Sequence, residues 1–242
     1  MGLFIVEFDL GGRSPTTVEN GDVIVDNGYS TITVRDVEAD STDDAINKAR
    51  PKADAFLNEL SWRYELNLEI GSSLTVMIQD SPETRHIKQH CLKVYTKGGH
   101  RKKYPRMLKE VVVKASDSKA YYRKAAMSQD PFDKFRNLYL TIENVASKIA
   151  ATKGRDKCRD SELIEIALKE CFSSQVQSVK EHKEVATLLF KGLRCQLNHA
   201  KASEDKKIPF NPDDEREVEK SLPLAESVAK SLLSYEDAYL LS

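Results

Sequence analysis

Cysteine is scarce and scattered in this chain. Four residues among 242 (Cys91, Cys158, Cys171 and Cys195) form no Cys-x-x-Cys pair. Neither a disulfide framework nor a zinc ribbon is therefore written into the sequence, and reduced thiols in a cytoplasmic protein are the expectation. No apolar run approaches the roughly 20 residues that a membrane-spanning helix needs, and no charged-then-apolar leader opens the chain. No membrane partner is expected. Net charge is scarce too. A formal value of −1 excludes a globally basic nucleic-acid binder but leaves room for a local patch.

What is present is charge in blocks. Residues 1–90 hold 8 Lys and Arg against 16 Asp and Glu, residues 91–127 hold 11 against 2, and residues 128–242 hold 18 against 20. An acidic part and a near-neutral part thus flank a basic connector. Hydrophobic residues make up 40% and charged residues 31%, an ordinary balance for a folded protein. The length allows one large or two small domains.

The first third predicts a small α+β unit. Leu3–Asp9 is a β-branched and aromatic run, hence a strand. Asp22–Val25 and Tyr29–Val34 flank Asp26-Asn27-Gly28, and an Asn-Gly pair between apolar runs predicts a hairpin, since a primed turn needs positive φ. Ser41 or Thr42 is placed to cap a helix with Asp43 and Asp44 in its first turn. Ala45, Ala49, Phe56, Leu57 and Leu60 continue it at helical spacing, and Pro51 predicts a kink or a later start. Leu74–Ile78 and Leu92–Tyr95 predict returning strands, while Val111–Val113 is apolar but of no clear type. Lys97–Arg106 is turn-rich and basic. Its Arg101, Lys102, Lys103 and Arg106 are candidate contacts to a phosphate backbone, weighed against a solvated loop that balances the acidic domain. Trp62 lies in an apolar stripe and is read as core rather than as a base-stacking platform.

From Ser128 onward the pattern is helical. Asp130-Pro131-Phe132-Asp133 combines an N-cap, a first-position proline and a first-turn carboxylate. Phe135, Leu138, Tyr139, Ile142, Val145 and Ile149 form an apolar stripe, and Gly154 closes the helix. A second helix is capped by Asp160 or Ser161 and carries Leu163, Ile164, Ala167, Leu168 and Phe172. A third runs from about Glu184 to Asn198. A fourth begins near Asp213 and meets Pro223, which predicts a bend. Four such helices make a bundle.

The third helix carries Leu188-Leu-Phe-Lys-Gly-Leu-Arg-Cys-Gln-Leu-Asn-His199. Arg194 is a fixed cation with bidentate donors for phosphate. His199 titrates near neutrality and can serve as base or acid. RNA brings its own nucleophile, the 2′-hydroxyl, so this pair suffices for cleavage without a metal. On an ideal helix the two lie about 140° apart. Asn198 is a plausible helix stop that would carry His199 past the last turn. The spacing alone is cheap, because Arg85-His-Ile-Lys-Gln-His90 repeats it in a stretch read as a solvated connection between strands. Two alternatives stand beside the pair: Arg194 as a structural ion-pair partner of Glu143, and a zinc ion on Cys195 and His199, for which two further ligands are missing.

Residues 130–242 resemble a HEPN domain. Two segments carry the resemblance: Asp130-Pro-Phe-Asp-Lys-Phe-Arg-Asn-Leu-Tyr-Leu-Thr-Ile-Glu143 as a first helix, and Gly192-Leu-Arg-Cys-Gln-Leu-Asn-His-Ala200 as an Arg-x4–6-His motif. Their pairing also resembles methylamine-utilisation J-like proteins. The resemblance implies Arg194 and His199 as a catalytic pair, Glu143 as an acidic neighbour, a homodimer with the motif at its interface, and a defence or toxin setting. The position after the motif Arg is often Asn or Asp in that family, whereas here it is Cys195. HEPN domains also occur as non-catalytic modules that bind RNA or protein.

The sequence therefore predicts an α+β chain: a sandwich-like α/β domain over 1–96, a basic connector over 97–127 and a HEPN-like helical domain over 128–242. The expected function is a cytoplasmic, metal-independent endoribonuclease using Arg194 and His199, supported by Glu143 and Asn198. The expected partners are RNA, a second copy of the chain, and a protein regulator or antitoxin. No metal or other cofactor is expected.

Overall fold

The structure is a computed structural model that describes residues 2–10, 16–25, 31–78, 84–88, 107–108, 111–155, 157–172, 179–198, 207–208 and 211–241. The chain divides into two compact units, Met1–Ala115 and Ser116–Ser242. The first is a curled sheet with one helix, and the second is helical.

The first unit contains β1 (Gly2–Leu10), β2 (Thr17–Asn20), β3 (Val23–Val25), β4 (Thr31–Ala39), α1 (Thr42–Tyr64), β5 (Ile70–Ile78), β6 (Thr84–Lys88) and β7 (Met107–Leu108). Their order in one sheet is β6-β5-β1-β4-β3-β2-β7, antiparallel except for the β2–β7 pair. The sandwich-like expectation thus resolves into a single sheet with one helix. Strand β1 alternates, burying Phe4, Val6, Phe8 and Leu10 on one face. Helix α1 covers that face with Ala45, Ala49, Ala53, Phe56, Leu57 and Leu60, all wholly buried. Each large apolar side chain buried this way contributes about 1.5–3 kcal/mol.

The local signals explain most of these boundaries. Ser41 caps α1 by accepting from the Asp44 N–H at 3.2 Å. Helix α1 runs through Pro51 without a break in its span. It ends at Glu65, whose φ of 53° is left-handed, with the Leu66 N–H donating to the Leu60 carbonyl at 3.1 Å. Strands β3 and β4 pair antiparallel, but Val25 faces Ile32, two residues out of the register that a two-residue Asn27-Gly28 turn would set; residues 26–30 lie outside the described set. Gly21 and Asp22 link β2 to β3, with Asn20 paired opposite Val23 and φ of +55° at Gly21. One expectation changes. Arg85–Lys88 is not a solvated connection but part of β6, paired antiparallel to β5. Val111–Val113 has no regular structure; Val111 is buried and Val112 exposed. Leu92–Tyr95 lies outside the described residues.

The second unit contains α2 (Asp117–Met127), α3 (Pro131–Thr152), α4 (Asp160–Cys171), α5 (Val179–Thr187), a π-helical segment (Leu188–Arg194), α6 (Cys195–Asn198), α7 (Pro212–Tyr235) and a second π-helical segment (Glu236–Leu240). Helix α2, which the sequence placed in the connector, belongs to this unit. Asp130 caps α3 by accepting from the Asp133 N–H at 2.8 Å, and the predicted stripe from Phe135 to Ile149 is buried. Gly154 sits at φ +67° just past its end. Helix α4 differs from expectation. Arg159 occupies the cap position with no side-chain hydrogen bond, and Asp160 is the first helical residue. Asn211 caps α7, which continues through Pro223.

A buried polar cluster ties the C-terminal turn to the start of this unit. The Glu236 carboxylate has no solvent exposure. It accepts from Lys148 Nζ at 2.6 Å and from Ser116 Oγ at 2.9 Å, with Ser118 Oγ at 3.1 Å. Ser116 is also the N-cap of α2, its Oγ accepting from the Ser118 N–H. The buried Lys119 ammonium pairs with Asp237 at 2.9 Å.

Candidate functional site

One row of α3 presents Phe135, Tyr139 and Glu143 at successive spacings of four, which places them on a common stripe. Arg136 and Leu140 lie beside that row. Opposite stand Arg194 and Leu197, and together these seven side chains line a small cleft open to solvent.

Arg194 enters the cleft from the last residue of the first π-helical segment. There the backbone bonds run from residue i to i−5, as from the Cys195 N–H to the Phe190 carbonyl. The wide turn includes Gly192, where a Cβ would lie 3.1 Å from Leu188 Cδ1. The guanidinium carbon of Arg194 lies 5.4 Å from the centroid of Phe190 and 5.9 Å from that of Tyr139. Two ring faces thus hold the cation by its quadrupole attraction.

The carboxylate that pairs with Arg194 is Asp160, at 3.5 Å, rather than Glu143. Both side chains are about one-third exposed (29% and 35%), and such a pair is worth at most about 1 kcal/mol. Glu143 lines the same cleft with its carboxyl raised above the ordinary range. Burial is the main cause, the Asp160 charge adds to it, and Arg194 opposes it. Burial also pushes the Tyr139 phenol well up, reinforced by Glu143 and Asp160. The Tyr139 hydroxyl is buried without a hydrogen-bond partner, an arrangement that proteins rarely leave unanswered. A confined cation beside an open mouth can receive an oxyanion.

The structure brings Arg194 and Glu143 together. Asn198 is the last residue of α6, and Cys195 is a half-buried free thiol directly after Arg194. His199 lies outside the described residues, as do Arg101, Lys102, Lys103 and Arg106. Among the described residues no group of three or more His, Cys, Asp and Glu side chains is placed to hold a metal, and no helix is long and apolar enough to cross a membrane. Trp62 is half-buried in α1. Two participants escaped the sequence. Tyr139 read as one more member of the core stripe, and Asp160 as a helix cap. A tyrosine four residues before a glutamate, in a row that is otherwise apolar up to that point, was the available signal.

With this geometry in hand, comparison places the helical unit. Residues 119–234 match the family model described as methylamine utilization protein MauJ. The matched stretch of the MauJ-like region is just under half of the chain. It contains every residue of the cleft, from Phe135 to Leu197. No curated protein and no solved structure matches the chain.

Proposed function

We propose that the MauJ-like unit is a HEPN-type bundle that cleaves RNA without a metal, Arg194 holding the phosphate and His199 moving the proton. The observation that supports it most is the state of Arg194. It stands in an open cleft, gripped by two aromatic rings, with one long ion pair. A guanidinium so placed is pre-organised for an oxyanion and can exchange a weak carboxylate for a bidentate phosphate.

The chemistry balances without an outside reagent. A neutral imidazole takes the 2′-hydroxyl proton, the 2′-oxygen attacks phosphorus, and the bond to the 5′-oxygen breaks. An imidazolium returns a proton to the leaving oxygen. The products are a 2′,3′-cyclic phosphate and a 5′-hydroxyl. A homodimer would supply one imidazole for each proton transfer. Glu143, with its proton held more tightly than usual, competes weakly for Arg194. The basic segment with Arg101, Lys102, Lys103 and Arg106 would track the RNA backbone. The N-terminal sheet would sense a trigger or bind a regulator in a defence or toxin setting.

RNA cleavage by the full chain, with and without EDTA, tests this. Cleavage that survives EDTA, leaves cyclic phosphate ends and falls about 100-fold or more in His199→Ala is expected. Equal, undetectable cleavage by both proteins on several RNAs refutes it. The alternative would then be a non-catalytic HEPN module that binds RNA or protein through the same cleft. The Asp160 pair and Cys195 beside the motif arginine favour that alternative. Light scattering at micromolar concentration tests the dimer separately, and a monomer refutes it.

A further inference from the structure

Among the described residues of the cleft, the Tyr139 hydroxyl is buried without a hydrogen-bond partner, and packing does not explain it. The ring is needed: it is 3% exposed, sits in the α3 stripe and offers a face to Arg194. A phenylalanine would do all of that. The hydroxyl adds a buried polar atom without a partner, which is unfavourable unless something outside the chain completes it.

What would complete it follows from the surroundings. The charged groups nearest in effect on the phenol are Glu143, Asp160 and Arg194, with the Cys195 thiol adding a smaller influence. Neither carboxylate reaches it within hydrogen-bond distance. Arg194 can only donate hydrogen bonds, and a protonated phenol can donate too. A ligand that satisfies both must bring acceptors, and beside a cation the best acceptor is an oxyanion. The Asp160 carboxylate already shows such a group drawn towards Arg194. At 3.5 Å it is an ion pair rather than a well-made hydrogen bond. Asp160 does not line the cleft, so it competes for the Arg194 charge rather than for the space an anion would take.

We propose that Tyr139 and Arg194 form one phosphodiester-binding site, the phenol and the guanidinium donating to oxygens of the same phosphate. The proposal rests on the RNA-cleaving reading only for the choice of a phosphodiester. Tyr139 is then a ligand-binding residue, and Asp160 a built-in competitor that keeps Arg194 oriented while the cleft is empty.

The test uses a single-stranded 2′-O-methyl RNA oligonucleotide, which lacks the nucleophile and so reports binding without turnover. Fluorescence anisotropy is measured on the full-length wild type, Tyr139→Phe and Asp160→Asn, each with a thermal melt. The expected result is roughly tenfold weaker binding by Y139F, the loss of about one hydrogen bond to a charged group. Its melting temperature should be unchanged or higher, because the deleted hydroxyl has no hydrogen-bond partner among the described residues. D160N should bind more tightly than wild type. Wild-type affinity in Y139F, a lower melting temperature in Y139F, or no binding by the wild type each overturns the proposal. The two readings fail separately. Wild type that binds the oligonucleotide but cleaves no RNA sinks the ribonuclease and leaves this site standing. Y139F that binds and cleaves like the wild type sinks this site alone.

Discussion

Glu236→Leu should be among the most damaging single changes in the helical unit. The carboxylate is wholly buried and gathers the Lys148 ammonium and the Ser116 hydroxyl, with Ser118 close by. Leucine nearly conserves volume but removes every acceptor. A buried donor stripped of a charged partner costs about 1.5–3 kcal/mol, and breaking one side of a buried pair costs about 3–5 kcal/mol. Lys148 is 37% exposed, so its ammonium can turn to water, and the lower part of that range applies. Ser116 keeps its bond from the Ser118 N–H, so the cap of α2 survives, less well oriented. The net expectation is a loss of about 3 kcal/mol, seen as a fall of roughly 10 °C in melting temperature for a unit of this size. Circular dichroism at 222 nm during heating and urea titration measures it. Glu236→Gln, which keeps one acceptor, should fall between the two proteins. In the Lys148→Met background the same E236L change should cost much less, because no ammonium is left unpaired. A loss below about 1 kcal/mol for E236L, or equal losses in both backgrounds, refutes the reasoning.

Glu65→Gly should stabilise the first unit by about 1 kcal/mol, because Glu65 holds a left-handed φ of 53° at the C-cap of α1 where glycine carries no penalty; urea titration reads it, and a loss of stability refutes it. Glu143→Gln should stabilise the fold near pH 7 and lose that advantage near pH 4. The folded state holds the Glu143 proton more tightly than the unfolded chain does. The stability from this proton is present below the ordinary carboxylate range and is lost as pH rises through the raised value. Melts at the two pH values check the sign, and an E143Q effect that does not change with pH rules the argument out.

Where a signal is local, the sequence carried it. Asp130-Pro131 stated the start of α3 because an N-cap acceptor and a fixed proline φ act within one turn. The Asn27-Gly28 signal carries the β3–β4 pairing but not its register, and the β2–β3 turn leaves little signal because those strands are only four and three residues long. Arg85–Lys88 was misread for another reason. A polar run with one apolar residue, Ile87, looks solvated until a neighbour, here β5, supplies the pairing. At the cleft, Glu143 and Arg194 were named on sequence and share one cavity. Tyr139 and Asp160 were not, because their role depends on which faces of α3 and α4 meet the π-helical turn. No pattern in Leu188–Arg194 distinguishes i→i−5 bonds from ordinary helix, so the angle at which Arg194 enters could not be counted from the sequence.

That π-helical turn also bears on how relatives should be compared. A wide turn holds more residues in each circuit than an α-turn does. A relative that reaches the same cleft through plain α-helix would need a one-residue gap between the positions of Leu189 and Arg194. Residues counted forward from Arg194 would stay in step, while those counted backward to the core leucines would slip. A pattern anchored on the leucines would therefore miss true relatives, and one anchored on the arginine would keep them. The gap itself would mark where the ancestral helix gained or lost its extra residue.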